Sequence, residues 1–220
     1  MLKLGEKGAI PQRDKTTYAI APHIPCGVIS PEQLRTIADV AEKYGAKAIK
    51  LTGATRIAIV GFKEEDIDNA WAELGTDKGA AVGLCVRSIR ACPGTTFCSI
   101  AKQDALGIGM KLDGLYHGRE LPGKFKMSVS GCKLACAESW VRDVGLIGEA
   151  GGWKMVVGGN VGASPRIADE FSSGLDDDQA MDYISKVVQV YTENAKKGER
   201  LGKMIERMGI DFLKKAVLTP

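Results

Sequence analysis

The first third of the chain alternates between strand-like and helix-like patterns of apolar residues. Apolar runs that predict strands occupy residues 17–29, 48–52 and 56–60. After the first run, Ser30 can cap a helix and Gln33 can complete a capping box, so we expect a helix that ends near Gly45. An acidic first turn and an apolar stripe predict a second helix over 63–74. This order of elements predicts a compact α+β half-domain.

The rest of the chain has two further patterns. Residues 76–165 have few helical stripes, most of the glycines and five of the six cysteines, which is typical of a site built on loops and strand ends. Short strands are expected there at 146–147 and 154–157. Residues 176–218 carry the apolar stripes of amphipathic helices. The predicted domains are therefore 1–75 and 76–220, the second with a helical C-terminal tail.

Composition and charge narrow the possible function classes. With 45% hydrophobic residues, the 220-residue chain can bury a core, which excludes wholesale disorder. Its 30 basic and 27 acidic residues balance too evenly for a nucleic-acid binder recognised by charge, although a few placed cations still suit a small anion. No apolar run approaches the ~20 residues of a membrane span. Residues 1–8 lack the apolar core of a signal peptide, so we expect a cytoplasmic protein with no membrane partner.

Four of the six cysteines form two spaced pairs. Five residues separate Cys92 from Cys98, and three separate Cys132 from Cys136. Structural zinc sites usually place two to four residues between ligands, which suits the second pair alone, whereas an iron–sulfur cluster accepts wider spacings. The spacing therefore favours a cluster and leaves zinc and ordinary thiols open. The two remaining cysteines are expected to be small buried residues: Cys26 and Cys85.

The segments around the paired cysteines are distinctive. They are Ala91-Cys92-Pro93-Gly94 and Ser130-Gly131-Cys132-Lys133-Leu134-Ala135-Cys136-Ala137. They resemble the sulfite and nitrite reductase family that carries sirohaem, and the resemblance continues through 143–148, 158–166, 193–201 and 206–209. Residues 16–75 are similar to the small ferredoxin-like half-domain of that family. The resemblance implies an α+β fold: a ferredoxin-like half-domain, 1–75, then an α/β sirohaem and [4Fe–4S] domain, 76–220, with C-terminal helices.

The resemblance also implies a ligand set. In this family four cysteines bind one [4Fe–4S] cluster, and these match Cys92, Cys98, Cys132 and Cys136. The resemblance implies that the last of them, Cys136, also bridges through its sulfur to the sirohaem iron. Sirohaem carries eight carboxylates, and further contacts to it are expected from three polar residues: Lys133, Asn160 and Arg166.

Four cations match those that the family places around the distal face of sirohaem. They are expected to be catalytic: Arg56, Arg87, Lys124 and Lys126. Guanidinium groups donate planar, charge-assisted hydrogen bonds to oxyanions, and ammonium groups supply protons as oxygen leaves as water. Lys124 and Lys126 are two residues apart and would point the same way from an extended strand. Alone, this pair would indicate a solvated strand face; beside the cysteine motifs, it indicates an anion site.

The resemblance implies a six-electron reduction of sulfite to sulfide. Nitrite reduction to ammonia at the same site is the nearest alternative, because both substrates are small oxyanions. A non-catalytic iron–sulfur electron carrier is a second alternative, although a carrier needs no anion pocket. A zinc-stabilised binding module is a third, and the wide spacing of the first cysteine pair disfavours it.

The resemblance further implies partners. The chain has one copy of a module that many family members carry twice, and it has no flavin or nicotinamide domain. We therefore expect electrons from a separate protein, such as a ferredoxin. A second module covers part of the sirohaem crevice in two-module relatives. Here either a homodimer contact or the C-terminal helices of a monomer would provide that cover.

Overall fold

The computed structural model describes residues 1–218, which form two compact units, 1–83 and 84 onward. The predicted domain boundary at 75/76 falls shortly before this division. No helix of the described residues is long and apolar enough to cross a membrane. Each unit is described by itself below.

The first unit is a four-stranded antiparallel sheet with two helices. Its strands are β1 (Ile10–Pro11), β2 (Tyr18–Ile20), β3 (Ala48–Leu51) and β4 (Ile57–Phe62), in the order β1-β2-β4-β3. Its helices are α1 (Pro31–Lys43) and α2 (Ile67–Leu74). The first strand was expected to run from 17 to 29 but ends at Ile20, because Pro22 and Pro25 remove backbone donors.

The predicted capping box of α1 is confirmed. Ser30 Oγ accepts a hydrogen bond from the Gln33 amide at 3.1 Å, and Gln33 Oε1 accepts one from the Ser30 amide at 3.0 Å. The apolar face of α1 and that of α2 share one hydrophobic core with the sheet, which includes Val40, Phe62 and Trp71. Burial of these faces stabilises the α+β arrangement.

The second unit is a mixed five-stranded sheet with helices. Its strands are β5 (Val86–Ala91), β6 (Phe125–Ser130), β7 (Val144–Glu149), β8 (Gly152–Val157) and β9 (Asp169–Leu175), in sequence order. Its helices are α3 (Gly94–Phe97), α4 (Ala105–Tyr116), α5 (Asp177–Asn194), α6 (Leu201–Met208) and α7 (Ile210–Leu218). β5, β6 and β7 are parallel, and β8 and β9 add antiparallel to β7. The helical C-terminal tail and the α+β class are thus confirmed.

The parallel strands have an apolar face and a polar face. On the apolar face, Phe125 packs against Tyr191 of α5, with ring centroids 5.1 Å apart. The opposite face carries hydroxyl and cationic side chains: Ser88, Arg90, Lys126, Ser128 and Ser130. A short 3₁₀ turn at Ser139–Val141 packs against β6, β7 and β8, and Ser139 contacts Ser128 and Ser130 of the polar face. Buried polar side chains need hydrogen-bond partners, so this face of the sheet suits a bound polar group.

Helix α4 was not expected from the sequence. The region 76–165 was interpreted as loops and strand ends, yet α4 begins after Asp104, whose carboxylate accepts a hydrogen bond from the Gly107 amide at 2.9 Å. Three of its twelve residues are glycines, which weaken the helical pattern in the sequence. The helix lies in the crossover from β5 to β6 and packs against both strands.

Candidate functional site

Two of the predicted cluster ligands lie at the carboxyl edge of the parallel strands. Cys92 directly follows β5, and Cys132 comes two residues after β6. Because the carboxyl ends of parallel strands meet at one edge of a sheet, the two cysteine segments are brought together. The Gly131 amide donates a hydrogen bond to Cys92 Sγ at 3.0 Å. An amide directed at a ligand sulfur favours the thiolate and tunes a bound metal centre.

Two glycines allow the cysteine loops to pack closely. Gly94 has φ +58°, and a Cβ there would lie 2.4 Å from the Ala105 amide nitrogen. A Cβ on Gly131 would lie 2.9 Å from the Gln103 carbonyl oxygen. The Gly131 carbonyl accepts hydrogen bonds from the Lys102 and Gln103 amides at 2.7 and 3.2 Å. The loop after Cys98 is thereby joined to the residue before Cys132.

Cys136 lies in a turn of unusual backbone conformation. Ala135 and Glu138 both have positive φ, at 51° and 62°, and each non-glycine residue in this region costs about 1–2 kcal/mol. The Ala137 amide donates to Ser130 Oγ at 3.2 Å, which ties the turn to the end of β6. Non-glycine residues held in this region are concentrated at functional sites.

The thiols are free, and their arrangement suits a cluster. No described cysteine forms a disulfide; Cys92, Cys98 and Cys132 are half-buried, and Cys136 is exposed. Within residues 1–218, no group of three or more His, Cys, Asp or Glu side chains converges on a single metal ion. Each iron of a [4Fe–4S] cluster takes its own thiolate, and the two cysteine pairs together supply four. This donor set fits that group.

The two remaining cysteines lie outside the two cysteine pairs. Cys26 lies in the first unit, and Cys85 precedes β5; both are buried, as expected.

Three of the four predicted catalytic cations lie at the opposite, amino edge of the same strands. Arg87 lies at a register shift in β5, Lys124 immediately precedes β6, and Lys126 lies within β6. Burial lowers the pKa of the Lys124 ammonium, and the positive charges of Arg87 and Arg200 lower it further. Burial also lowers the pKa of the Arg87 guanidinium. This edge is a partly desolvated cationic site, which is suited to an anion.

Four residues of β5 lie between Arg87, at the cationic edge, and Cys92, at the thiol edge. Five steps of ~3.3 Å place Arg87 and Cys92 about 16 Å apart along the strand. The polar face of the sheet connects the two edges. The site is therefore elongated, with sulfur ligands at one end and cations at the other.

Sequence reasoning missed the residues that organise the cationic edge. Asp143 is fully buried and receives two hydrogen bonds from the Arg200 guanidinium, Nε to Oδ1 at 2.8 Å and Nη2 to Oδ2 at 2.6 Å. The Lys126 amide also donates to Asp143 Oδ2, at 2.8 Å. Burial raises the pKa of the Asp143 carboxyl, and Arg200 opposes that rise. Both residues lie in segments that resemble the reductase family, but the resemblance implies no role for either of them.

Sequence reasoning also missed a second cluster of charged side chains, which is centred on Glu138, two residues after Cys136. Glu138 accepts hydrogen bonds from Arg142 and from Arg90, the latter at 2.7 Å. Both arginines are largely buried. No residue in the described range accepts a hydrogen bond from the buried Nε of either arginine. These donors would suit an anionic group close to the polar face of the sheet.

Arg56, the fourth predicted catalytic cation, belongs to the first unit. It directly precedes β4, is buried, and donates from Nη2 to the Ala80 carbonyl at 3.2 Å. The turn that carries it is closed by the Thr52 amide, which donates to the Arg56 carbonyl at 2.9 Å. The other three cations belong to the second unit.

The three predicted sirohaem contacts have different surroundings. Lys133 is exposed, and its Nζ lies 3.7 Å from Glu149 Oε1. Both residues line a cleft of about 660 Å³, which Cys132 also lines. Asn160 Oδ1 accepts a hydrogen bond from Arg200 at 3.0 Å, which connects it to the cationic edge. Arg166 has the most protein contacts of the three: it donates hydrogen bonds to two backbone carbonyls and to Asp169, and it forms an ion pair with Glu206.

Comparison with known families matches both units. Residues 82–220 match the nitrite and sulphite reductase 4Fe-4S domain. Residues 10–76 match the nitrite/sulfite reductase ferredoxin-like half domain.

Individual relatives agree with the family match. The chain is 45% identical over 212 residues to a sulfite reductase, assimilatory-type, of Nitratidesulfovibrio vulgaris, covering 96% of this chain and 97% of that protein. It is 35% identical to a nitrite reductase [NAD(P)H] of Bacillus subtilis, covering 93% of this chain but 25% of that larger protein. The crystal structure of dissimilatory sulfite reductase I has the same fold, with a TM-score of 0.83 at 17% identity over 93% of this chain and 69% of that one.

Proposed function

The chain belongs to the nitrite and sulphite reductase family, and from this premise we propose that it reduces sulfite to sulfide with electrons from a separate donor protein. Family membership confirms the expected enzyme class, an oxidoreductase that uses sirohaem and a [4Fe–4S] cluster. It also confirms an oxyanion substrate and a redox partner in general terms.

One observation carries the choice of sulfite. The sulfite reductase relative matches this chain across nearly its whole length at 45% identity, whereas the nitrite reductase relative matches as one part of a larger protein. In the proposed reaction, hydrogensulfite takes up six electrons and six protons to give hydrosulfide and three water molecules.

The four paired thiols are proposed to hold the cluster: Cys92, Cys98, Cys132 and Cys136. Cys136 is proposed to bridge to sirohaem, and its exposure supports that role, because a ligand shared between two groups must be open on two sides. Bound there, the two groups supply the electrons and the iron at which sulfite is reduced. Lys133, Asn160 and Arg166 remain proposed contacts to the sirohaem carboxylates, and the free Nε donors of Arg90 and Arg142 support two more.

The cations are proposed to act on the substrate. Arg87 binds the oxyanion through planar hydrogen bonds, and Arg56 is proposed to do the same from the first unit. Lys124 and Lys126 donate protons to the oxygens that leave as water. The lowered pKa of Lys124 supports this role, because a weaker acid would give up its proton more slowly at neutral pH.

Exposed apolar side chains around the thiols support docking of the donor at this edge. Phe97, Ile100 and Leu134 are 79%, 52% and 68% exposed, and exposed apolar patches mark interaction sites. A ferredoxin is the proposed donor. The free thiols support a cytoplasmic location, where the reducing environment keeps cysteines available for a cluster. The working form is proposed to be a monomer or a homodimer.

The test is an anaerobic assay of the purified holoprotein with reduced methyl viologen. It compares sulfide formed from sulfite with ammonia formed from nitrite, and kcat/KM is expected to be higher for sulfite. Lys126→Gln should lower sulfite turnover about 100-fold, because it removes a charge that acts in the transition state, and should leave the absorption spectrum unchanged.

Lys215→Gln, an exposed change on α7, is the matched control and should behave as wild type. A higher kcat/KM for nitrite would make the chain a nitrite reductase instead. Holoprotein that turns over neither anion would favour the non-catalytic electron carrier.

A further inference from the structure

We propose that Ser130 and Ser139 are positioning residues for Cys136: their buried hydroxyls hold the turn that presents the bridging sulfur to sirohaem. The inference rests on the proposed function and deepens it, because it names the residues that fix the proposed bridge. Both side chains are fully buried. Water therefore cannot take the place of their hydrogen bonds in the folded protein.

The direction of each hydrogen bond follows from the number of protons available. A serine hydroxyl donates once and accepts twice. Ser139 Oγ donates to the Leu146 carbonyl at 2.9 Å, so its one proton is used. The 2.8 Å contact between Ser130 and Ser139 must then be donated by Ser130. Ser128 donates to the same oxygen at 3.3 Å, which saturates Ser139.

The assignment leaves Ser130 as the group that holds the cysteine turn. With its proton given to Ser139, Ser130 Oγ can only accept, and it accepts from the Ala137 amide at 3.2 Å. Ala137 directly follows Cys136. A chain of hydrogen bonds therefore runs from the residue beside the bridging thiol, through two hydroxyls, to the backbone of β7.

The backbone on both sides of Cys136 needs such a restraint. Ala135 and Glu138 have positive φ, a conformation that non-glycine residues keep only when the surroundings fix it. Behind Ser139, Gly145 lets the turn lie directly on β7, because a Cβ there would be 2.4 Å from the Ser139 carbonyl oxygen. Without the hydroxyls, the Ala137 amide would lose its partner and the turn would relax, which would move the Cys136 sulfur.

The experiment replaces hydroxyls one at a time in the holoprotein. Ser130→Ala should keep wild-type amounts of cluster iron and acid-labile sulfide. It should shift the visible absorption of sirohaem and the electron paramagnetic resonance spectrum of the coupled centres, and lower kcat about tenfold. Ser128→Ala, which removes only the longest bond, should cause a smaller shift. Ser130→Thr keeps the hydroxyl and should restore the wild-type spectrum.

Ser185→Ala is the control. Ser185 is exposed on α5 and belongs to neither the polar face nor the cysteine loops. Its substitution should leave both spectra unchanged. Ser130→Ala and Ser128→Ala spectra identical to those of Ser185→Ala would overturn the positioning role while sulfite reduction stood. Wild-type protein without sirohaem would instead refute the proposed function.

Discussion

At the scale of single residues, the site separates two kinds of chemistry along one pair of strands. Sulfur ligands follow the ends of β5 and β6, and cations lie at their beginnings. Lys124 is the residue whose chemistry this arrangement changes most clearly. Burial lowers its pKa, and the nearby Arg87 and Arg200 charges add to that effect. Proton donation by Lys124 should therefore cease at a lower pH than for an exposed lysine.

The effect of the Arg87 charge on the pKa of Lys124 predicts how the pH dependence of turnover changes in an Arg87 variant. Lys124 donates only when protonated, so turnover should fall as the pH rises through its pKa. Arg87→Gln removes a neighbouring positive charge, which should raise that pKa and move the alkaline limb of kcat to higher pH, although the maximum rate falls. The viologen assay over a pH range of about 6 to 10 measures the limb.

The control for this prediction is Arg35→Gln, an exposed change on α1 that should leave the limb in place. A limb that stays fixed or moves to lower pH in Arg87→Gln would show that Lys124 is not the limiting proton donor.

At the scale of elements, the sequence predicted the helices with local signals more fully than the elements that form the site. The capping box of α1 and the amphipathic C-terminal helices could be predicted because their signals lie within a few adjacent residues. β6 alternates apolar and polar residues, which is a strand signal, but in β5 a register shift beside Arg87 interrupts that alternation. The glycines of α4 weaken its helical pattern. The elements that form the site could therefore be recognised only in part.

Long-range contacts were also beyond sequence reasoning. Arg200 directly precedes α6 and reaches Asp143, which directly precedes β7, across 57 residues of chain. Nothing local to either residue indicates the other. The cysteine spacing, in contrast, was informative because both pairs are short segments of sequence.

The Asp143–Arg200 pair predicts a large effect on stability. Arg200→Ala should lower the free energy of unfolding by about 3–5 kcal/mol, because it leaves a fully buried carboxyl without its partner. Adding Asp143→Asn should recover part of that loss, since the uncompensated charge is then removed. Urea unfolding of the single and double variants measures both effects.

The exposed Lys186–Asp182 pair on α5 is the control, and Lys186→Ala should cost at most about 1 kcal/mol. Equal losses from Arg200→Ala and Lys186→Ala would show that the buried pair contributes no more than a surface ion pair.

At the scale of the whole molecule, the chain combines two matched family domains, and each contains residues that the sequence predicts to be functional. Arg56 comes from the first unit, and the cysteines with Arg87, Lys124 and Lys126 come from the second. The cysteine motifs identified the family from the sequence, because few metal sites share their spacing and flanking residues. The number of chains in the working enzyme could not be predicted, since either a second copy or the helical tail would cover the crevice.

The most direct test of the central claim is an iron count on anaerobically purified wild type and Cys136→Ser. Wild type should hold about five irons per chain, four in the cluster and one in sirohaem. Cys136→Ser should lose sirohaem, because the proposed bridge is gone, while some cluster remains on the other three thiols. Colourless wild-type protein with one zinc per chain, or a Cys136→Ser variant that keeps its full sirohaem content, would contradict the account.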